Sequence, residues 1–114
     1  MKIAITSQGP NLNSAVDEHF GRAPYFVIIH LEEGTLTAIN NEAGLNAAQG
    51  AGIHAAQTLV DQGVQALITG HVGPKAWAAI EAANIRVFSV TGGTVEEALA
   101  ACRGNKLSPL AREA

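Results

Sequence analysis

The 114-residue sequence predicts one α/β domain built on a five-stranded mixed sheet with helices on its faces. Three observations carry this. Apolar runs of strand length come first, three in succession, before any stretch with helical spacing. After residue 44 the pattern changes to helix, strand, helix, strand, helix, the alternation of parallel strands joined by crossovers. Between the first two apolar runs lie Gly9-Pro10, Asn11, Asn13 and Gly21, punctuation that leaves no room for a helical crossover, so those two strands should be antiparallel.

Lys2 to Thr6 is apolar on both faces and reads as a central strand. Tyr25 to Leu31 is nearly continuous in apolar character. Glu32-Glu33-Gly34 turns the chain, and Thr35 to Ile39 alternates as a half-covered edge strand does, completing a hairpin. Asn40-Asn41-Glu42-Ala43-Gly44 is a loop. A helix spans Ala47 to Gln62, with Ile53, Ala56, Leu59 and Val60 at core-facing spacing and Gly63 as its stop. Val64 to Thr69 is a strand, Gly70-His71-Val72-Gly73 a loop, and Pro74 to Ala83 a helix opened by its proline. Ile85 to Val90 is the last strand. Thr91-Gly92-Gly93 leads to Thr94, which caps a helix through about Arg103 with Glu97 in the capping-box position. Residues 1–106 make one domain, and 107–114 are expected to form a flexible tail. The hairpin sets the third strand against the second, and the crossovers set the fourth and fifth parallel to the first. The strand order is then 3-2-1-4-5 with only the second reversed, a ribonuclease-H-like three-layer arrangement.

Composition narrows the function. With 47% hydrophobic and 15% charged residues the chain is globular. A net charge of −3, with Lys and Arg scattered singly, argues against a nucleic-acid footprint. Cys102 is the only cysteine, which excludes a disulfide frame and a thiolate cage. Met1 to Ile5 runs directly into a strand without the apolar stretch of a signal peptide, and no apolar run approaches the roughly 18 residues of a membrane span. A cytoplasmic domain without membrane contact is expected.

The topology gathers five loops at one rim of the sheet: Ser7-Gln8-Gly9, His19-Phe20-Gly21-Arg22, Gly50 to His54, Gly70 to Gly73, and Thr91 to Gly93. Ligands of open α/β sheets bind at such an edge, and three helices begin there with their N–H groups and positive dipole ends. Three of the four histidines, His19, His54 and His71, lie in these loops. With Arg22 and few carboxylates beyond Asp17 and Glu18, the rim suits a bulky anion, particularly one containing metal.

Each of these residues also has a purely structural reading. Arg22 can pair with Asp17 or Glu18, His71 can cap the next helix, and His54 can point outward. Val95, Ala98, Leu99 and Cys102 fall at the spacing of a helix core stripe, which makes Cys102 a small buried hydrophobe roughly 12 Å from the rim. Trp77 and Ile80 share a core stripe. Gly50-Ala51-Gly52-Ile53-His54-Ala55 matches a dinucleotide fingerprint but does not directly follow a strand. Ser7, His19 and Asp17 lack a nucleophile elbow, so a hydrolase triad is unsupported.

The segments Glu18-His19-Phe20-Gly21-Arg22-Ala23-Pro24-Tyr25-Phe26, Gly50-Ala51-Gly52-Ile53, Ile68-Thr69-Gly70-His71-Val72-Gly73-Pro74 and Gly92-Gly93-Thr94-Val95-Glu96-Glu97-Ala98 resemble the dinitrogenase iron–molybdenum cofactor biosynthesis family. That family comprises NifX-like proteins and the C-terminal domain of NifB-type proteins. The resemblance runs from Met1 to about Lys106. It implies a non-enzymatic protein that stores or delivers an anionic metal–sulfur cluster, of molybdenum–copper sulfide or iron–molybdenum–sulfur type, held non-covalently. The cysteine-poor single domain is similar to the orange-protein branch of the family. The radical-SAM cysteines of a cofactor-building enzyme are missing from this sequence.

Carried onto this sequence, the resemblance makes His19 the favoured metal contact. His71 and His54 join it as candidate metal ligands, and Phe20, Gly21, Arg22, Gly70, Val72, Gly73, Gly92 and Gly93 as the cluster's cradle. A cluster-assembly or acceptor protein is the implied partner, and the oligomeric state is left open. The alternative is an adaptor module binding a nucleotide or phosphorylated metabolite on the same rim, since helix N-termini attract phosphate equally.

Overall fold

In the computed structural model residues 1–42 and 50–110 are described. The strands are β1 (Lys2–Ser7), β2 (Tyr25–His30), β3 (Thr35–Asn40), β4 (Ala66–Thr69) and β5 (Arg86–Ser89). The helices are α1 (Ala51–Asp61), α2 (Pro74–Ala82) and α3 (Val95–Arg103), and Phe20–Arg22 forms a single 3-10 turn. The expected helix start at Ala47 lies outside the described residues.

The strands form one sheet in the order β3-β2-β1-β4-β5. β2 is antiparallel to both β1 and β3, whereas β1, β4 and β5 are parallel. Reversal of the second strand alone thus follows from the missing crossover, as expected. Alternation along the strands divides the core in two. Ala4, Phe26, Ile28, Leu67 and Val87 pack with Leu59 of α1 and Trp77 and Ile80 of α2. On the other face Ile3, Ile5, Val27 and Ile68 pack with Val95 and Ala98 of α3. The capping box at α3 is formed: Glu97 N–H donates to Thr94 Oγ1 (3.2 Å) and Thr94 N–H to Glu97 Oε1 (3.0 Å).

The sheet and helices depart from the expected pattern in three places. On α1 the buried stripe is Ala51, Ala55, Ala56 and Leu59, while Ile53 and Val60 are 47% and 42% exposed. Small residues decide this rotation. A methyl on Gly52 would lie 2.9 Å from Ala76 Cβ, so α1 turns its glycine–alanine face to α2 to come close, and its larger residues outward. β3 does not alternate between covered and open faces, since only Ile39 is partly buried and Leu36 is exposed. The expected tail is hydrogen-bonded to the sheet over its first residues, with Ser89 N–H donating to Ser108 O (2.8 Å) and Leu110 N–H to Val87 O (3.0 Å). These bonds cover the otherwise open edge of β5.

Phe20 links the fold to the rim. Its side chain is 1% exposed and its ring centroid lies 5.8 Å from that of Phe26, so the 3-10 turn is anchored by one buried aromatic. Phe20→Ala should destabilise the domain by about 3–5 kcal/mol, read as a lowered midpoint in urea unfolding.

Candidate functional site

β1 ends at Ser7, but its place beside β4 does not stay empty. Asp17 N–H donates to Thr6 O (2.9 Å), and the chain then runs alongside the continuation of β4. Gly70 N–H donates to Glu18 O (3.2 Å), Phe20 N–H donates to His71 O (3.1 Å), and His19 and His71 form a parallel bridge. The two histidines expected from separate loops are therefore neighbours across a short two-stranded extension of the sheet. The close approach needs Gly70, because a methyl there would sit 2.7 Å from Glu18 Cβ and 3.0 Å from Glu18 O.

Buried polar groups hold this extension from beneath. Thr6 and Thr69 are both fully buried at the ends of β1 and β4. Their hydroxyls lie 2.9 Å apart, and Thr6 Oγ1 also donates to Asp17 O (2.5 Å). Asn41, 3% exposed, donates from Nδ2 to Ala23 O (2.8 Å) and from its backbone N–H to Pro24 O (2.8 Å), and so fixes the exit of the 3-10 turn. Sequence reading passes over these three residues. The one available signal is their position, each a polar residue at or just beyond the rim end of a strand.

His19 itself is presented to solvent, with 70% of its side chain exposed, and is steadied by Asp17, whose side chain is 15% exposed. Asp17 Oδ1 accepts the His19 backbone N–H (2.8 Å) and lies 3.5 Å from His19 Nδ1. A carboxylate on that side favours the proton on Nδ1 and leaves Nε2 as the open lone pair. His71 is exposed. It does not serve the next helix, whose start at Gly73 has no side-chain cap.

The remaining expected residues divide by role. Phe20 and Val72 pack against the core, so the Phe20 ring is turned away from the rim. Gly21 is pressed against α1, since a methyl there would be 2.9 Å from Gly52 N. Arg22 is exposed at the end of the 3-10 turn, and His54 is exposed on the first turn of α1. Gly92 and Gly93 adopt left-handed φ values of 115° and 85°, and Gly93 O accepts the Val16 N–H (2.9 Å), which ties this loop to the chain leading into His19. Ser7 is fully buried and its hydroxyl donates to Gly9 O (2.6 Å), which leaves it unsuited to act as a nucleophile.

The three helix starts are not equivalent. Val95 N–H donates to Ser14 O and Glu96 N–H to Leu12 O (2.9 and 2.8 Å), so with the capping box the N-terminus of α3 is spent on the protein itself. α1 and α2 begin at Gly50 and Gly73 without side-chain caps or acidic residues in their first turns. Positive dipole ends available to an anion therefore lie on the α1–α2 side of His19. Cys102 is far from all of this. It is half-buried on the outer part of α3, and burial pushes its thiol pKa up.

Among the described residues, no three His, Cys, Asp or Glu side chains stand together as a metal cage. A bare zinc-type ion takes four protein ligands, and the described residues of the rim do not offer four together.

Comparison with known proteins places the chain. The model of the family described as dinitrogenase iron-molybdenum cofactor matches residues 1–105. The apo form of the orange protein from Desulfovibrio gigas superimposes with a TM-score of 0.92 at 39% identity, covering 96% of this chain and 92% of that one. A NifB-like protein from Thermotoga gives a TM-score of 0.85 at 36% identity, covering 99% and 98%. An uncharacterized protein of Methanocaldococcus jannaschii is 30% identical over 101 residues, 87% of this chain and 82% of that protein.

The glycines of the β4–α2 loop offer a direct test of the geometry. Gly70→Ala should cost about 1–3 kcal/mol, because backbone on both sides must move. Gly73→Ala, at φ −68° with nothing within 4 Å of the new methyl, should change stability little. Urea unfolding of both variants checks the pair.

Proposed function

The chain belongs to the dinitrogenase iron–molybdenum cofactor family, and from that premise we propose that it is a non-catalytic carrier that binds and hands over an anionic metal–sulfur cluster at the His19–His71 rim. The observation that supports this most is the backbone pairing of His19 with His71 beside uncapped helix starts. Two outward imidazoles supply soft nitrogen donors, Arg22 and the α1 and α2 N-termini supply positive potential, and the glycines let the backbone come near. The cargo is of molybdenum–copper sulfide or iron–molybdenum–sulfur type, and the giver or receiver is an assembly or acceptor protein. His54, exposed at the start of α1, is a third contact only for a cargo wide enough to reach from the β4 continuation to that helix.

Few strong ligands permit release as well as capture. Coordination requires neutral imidazole, so protons and the cluster metal compete for the same nitrogens.

Reconstitution with tetrathiomolybdate and copper(I), followed by gel filtration, visible absorption and metal and sulfide analysis, tests the assignment. Wild-type protein should retain a coloured molybdenum species, His19→Ala should lose most of it, and Cys102→Ala should retain it. A colourless wild-type protein, or loss of colour on changing Cys102 alone, overturns the reading. Asp17→Ala should weaken loading by about 10–100-fold, the usual effect of removing the partner of a metal-bound histidine.

The two uncapped helix starts also favour a second reading, an adaptor binding a nucleotide or phosphorylated metabolite. Under that reading ATP raises the melting temperature and tetrathiomolybdate does not.

A further inference from the structure

At the end of the sheet opposite the rim lies a half-enclosed cavity of about 380 Å³. Leu31, Ala66, Phe88 and Leu107 supply apolar wall, and Arg86 and Arg103 line it as well. None of the described residues lining it is a carboxylate, although the protein as a whole carries a net charge of −3. Met1 also borders the cavity, and its ammonium is already paired with Glu32, which holds that carboxyl below its usual range. Neither Arg86 nor Arg103 makes an ion pair with a described residue. The size and the mixture of apolar surface with a few charged groups are those of small-molecule sites.

The two arginines do not contribute equally. The C-terminal end of α3 closes one side of the cavity, where Asn105 takes a left-handed φ of 55° and Lys106 N–H returns to Ala101 O (2.9 Å). That helix end carries partial negative charge, and Arg103 in its last turn offsets it. Arg86, the first residue of β5, is not in the last turn of a helix and has no ion pair among the described residues. Cys102, half-buried, also lines the cavity, and burial pushes its thiol pKa up.

The geometry points to a second ligand site here, for a small molecule with an aliphatic body and a single anionic head, the body against Leu31, Phe88 and Leu107 and the head on Arg86 with Arg103 beside it. Carboxylate and phosphate heads share this chemistry, because a guanidinium accepts either in a bidentate pair. The site is independent of the cluster rim.

Titration calorimetry with decanoate, decyl phosphate, decanol and inorganic phosphate tests the site, with Cys102 alkylation by iodoacetamide as a local reporter. Decanoate or decyl phosphate should bind once per chain and slow alkylation of Cys102, and whichever binds more tightly identifies the head. Arg86→Gln should raise that Kd about tenfold, and Arg103→Gln by less, with the circular dichroism spectrum unchanged because both side chains are exposed. Both variants should load tetrathiomolybdate–copper as wild type does, so failure at this cavity is distinguishable from failure at the rim. Equal affinity for decanol, equal affinity for inorganic phosphate, or no protection of Cys102 overturns the proposal.

Discussion

Everything at the rim depends on one splice between strands. β1 ends at Ser7, and after an excursion through residues 8–16 the chain returns at Asp17 to continue the ladder beside β4. Two backbone hydrogen bonds, to Glu18 O and His71 O, hold the splice, and Gly70 is the residue that lets the two backbones meet. Each such bond contributes only about 1 kcal/mol net. The segment is therefore secured from other directions too: the Phe20 ring in the core, Thr6 and Thr69 below, and Asn41 at the exit. Ordering an exposed histidine costs conformational entropy, and these buried anchors meet that cost where the imidazole itself makes few contacts.

Topology was legible because it follows from what the chain lacks. Without a crossover the second strand has to run backwards, and that reversal delivers His19 to the same edge as His71. The α3 cap was legible for a different reason, since Thr94 and Glu97 satisfy each other locally. The rotation of α1 was not. Hydrophobicity favours Ile53 and Val60 as the inward face, but the distance between α1 and α2 is set by Gly52 and Ala76, and close approach outweighs side-chain size. The fate of the α3 N-terminus was equally hidden, because residues 10–16 have no periodicity to announce that Leu12 and Ser14 carbonyls would consume its donors. Asn41, Thr6 and Thr69 read as unremarkable polar residues until burial shows that nothing apolar can replace their hydrogen bonds.

The inequality of the helix starts sharpens what the rim can hold. Three open N-termini would make a general anion trap. With α3 closed, positive potential is confined to the α1–α2 side of His19, while the opposite side presents the Gly92–Gly93 backbone, itself pinned by Val16. Under the proposed function, a small anion would gain little from such a one-sided surface, whereas a larger one spanning from the helix starts to the histidines would meet both kinds of contact at once.

Donor number separates holding from transferring. A cage of four protein ligands gives a structural metal that leaves only when the fold opens. Here the described residues form no such cage, and His19 stands 70% exposed with Asp17 behind it. Asp17 fixes the direction of the ring without enclosing it, so orientation and access are set by different groups. Under the proposed carrier function, thiolates of an acceptor would reach the cluster metal from solvent and replace the imidazoles one at a time, one metal–nitrogen bond giving way to one metal–sulfur bond in each step. Under the proposed function the exposure that makes His19 a weak anchor in isolation would also make it a usable exit, while the rigidity of the segment resides in the buried threonines, asparagine and phenylalanine beneath it.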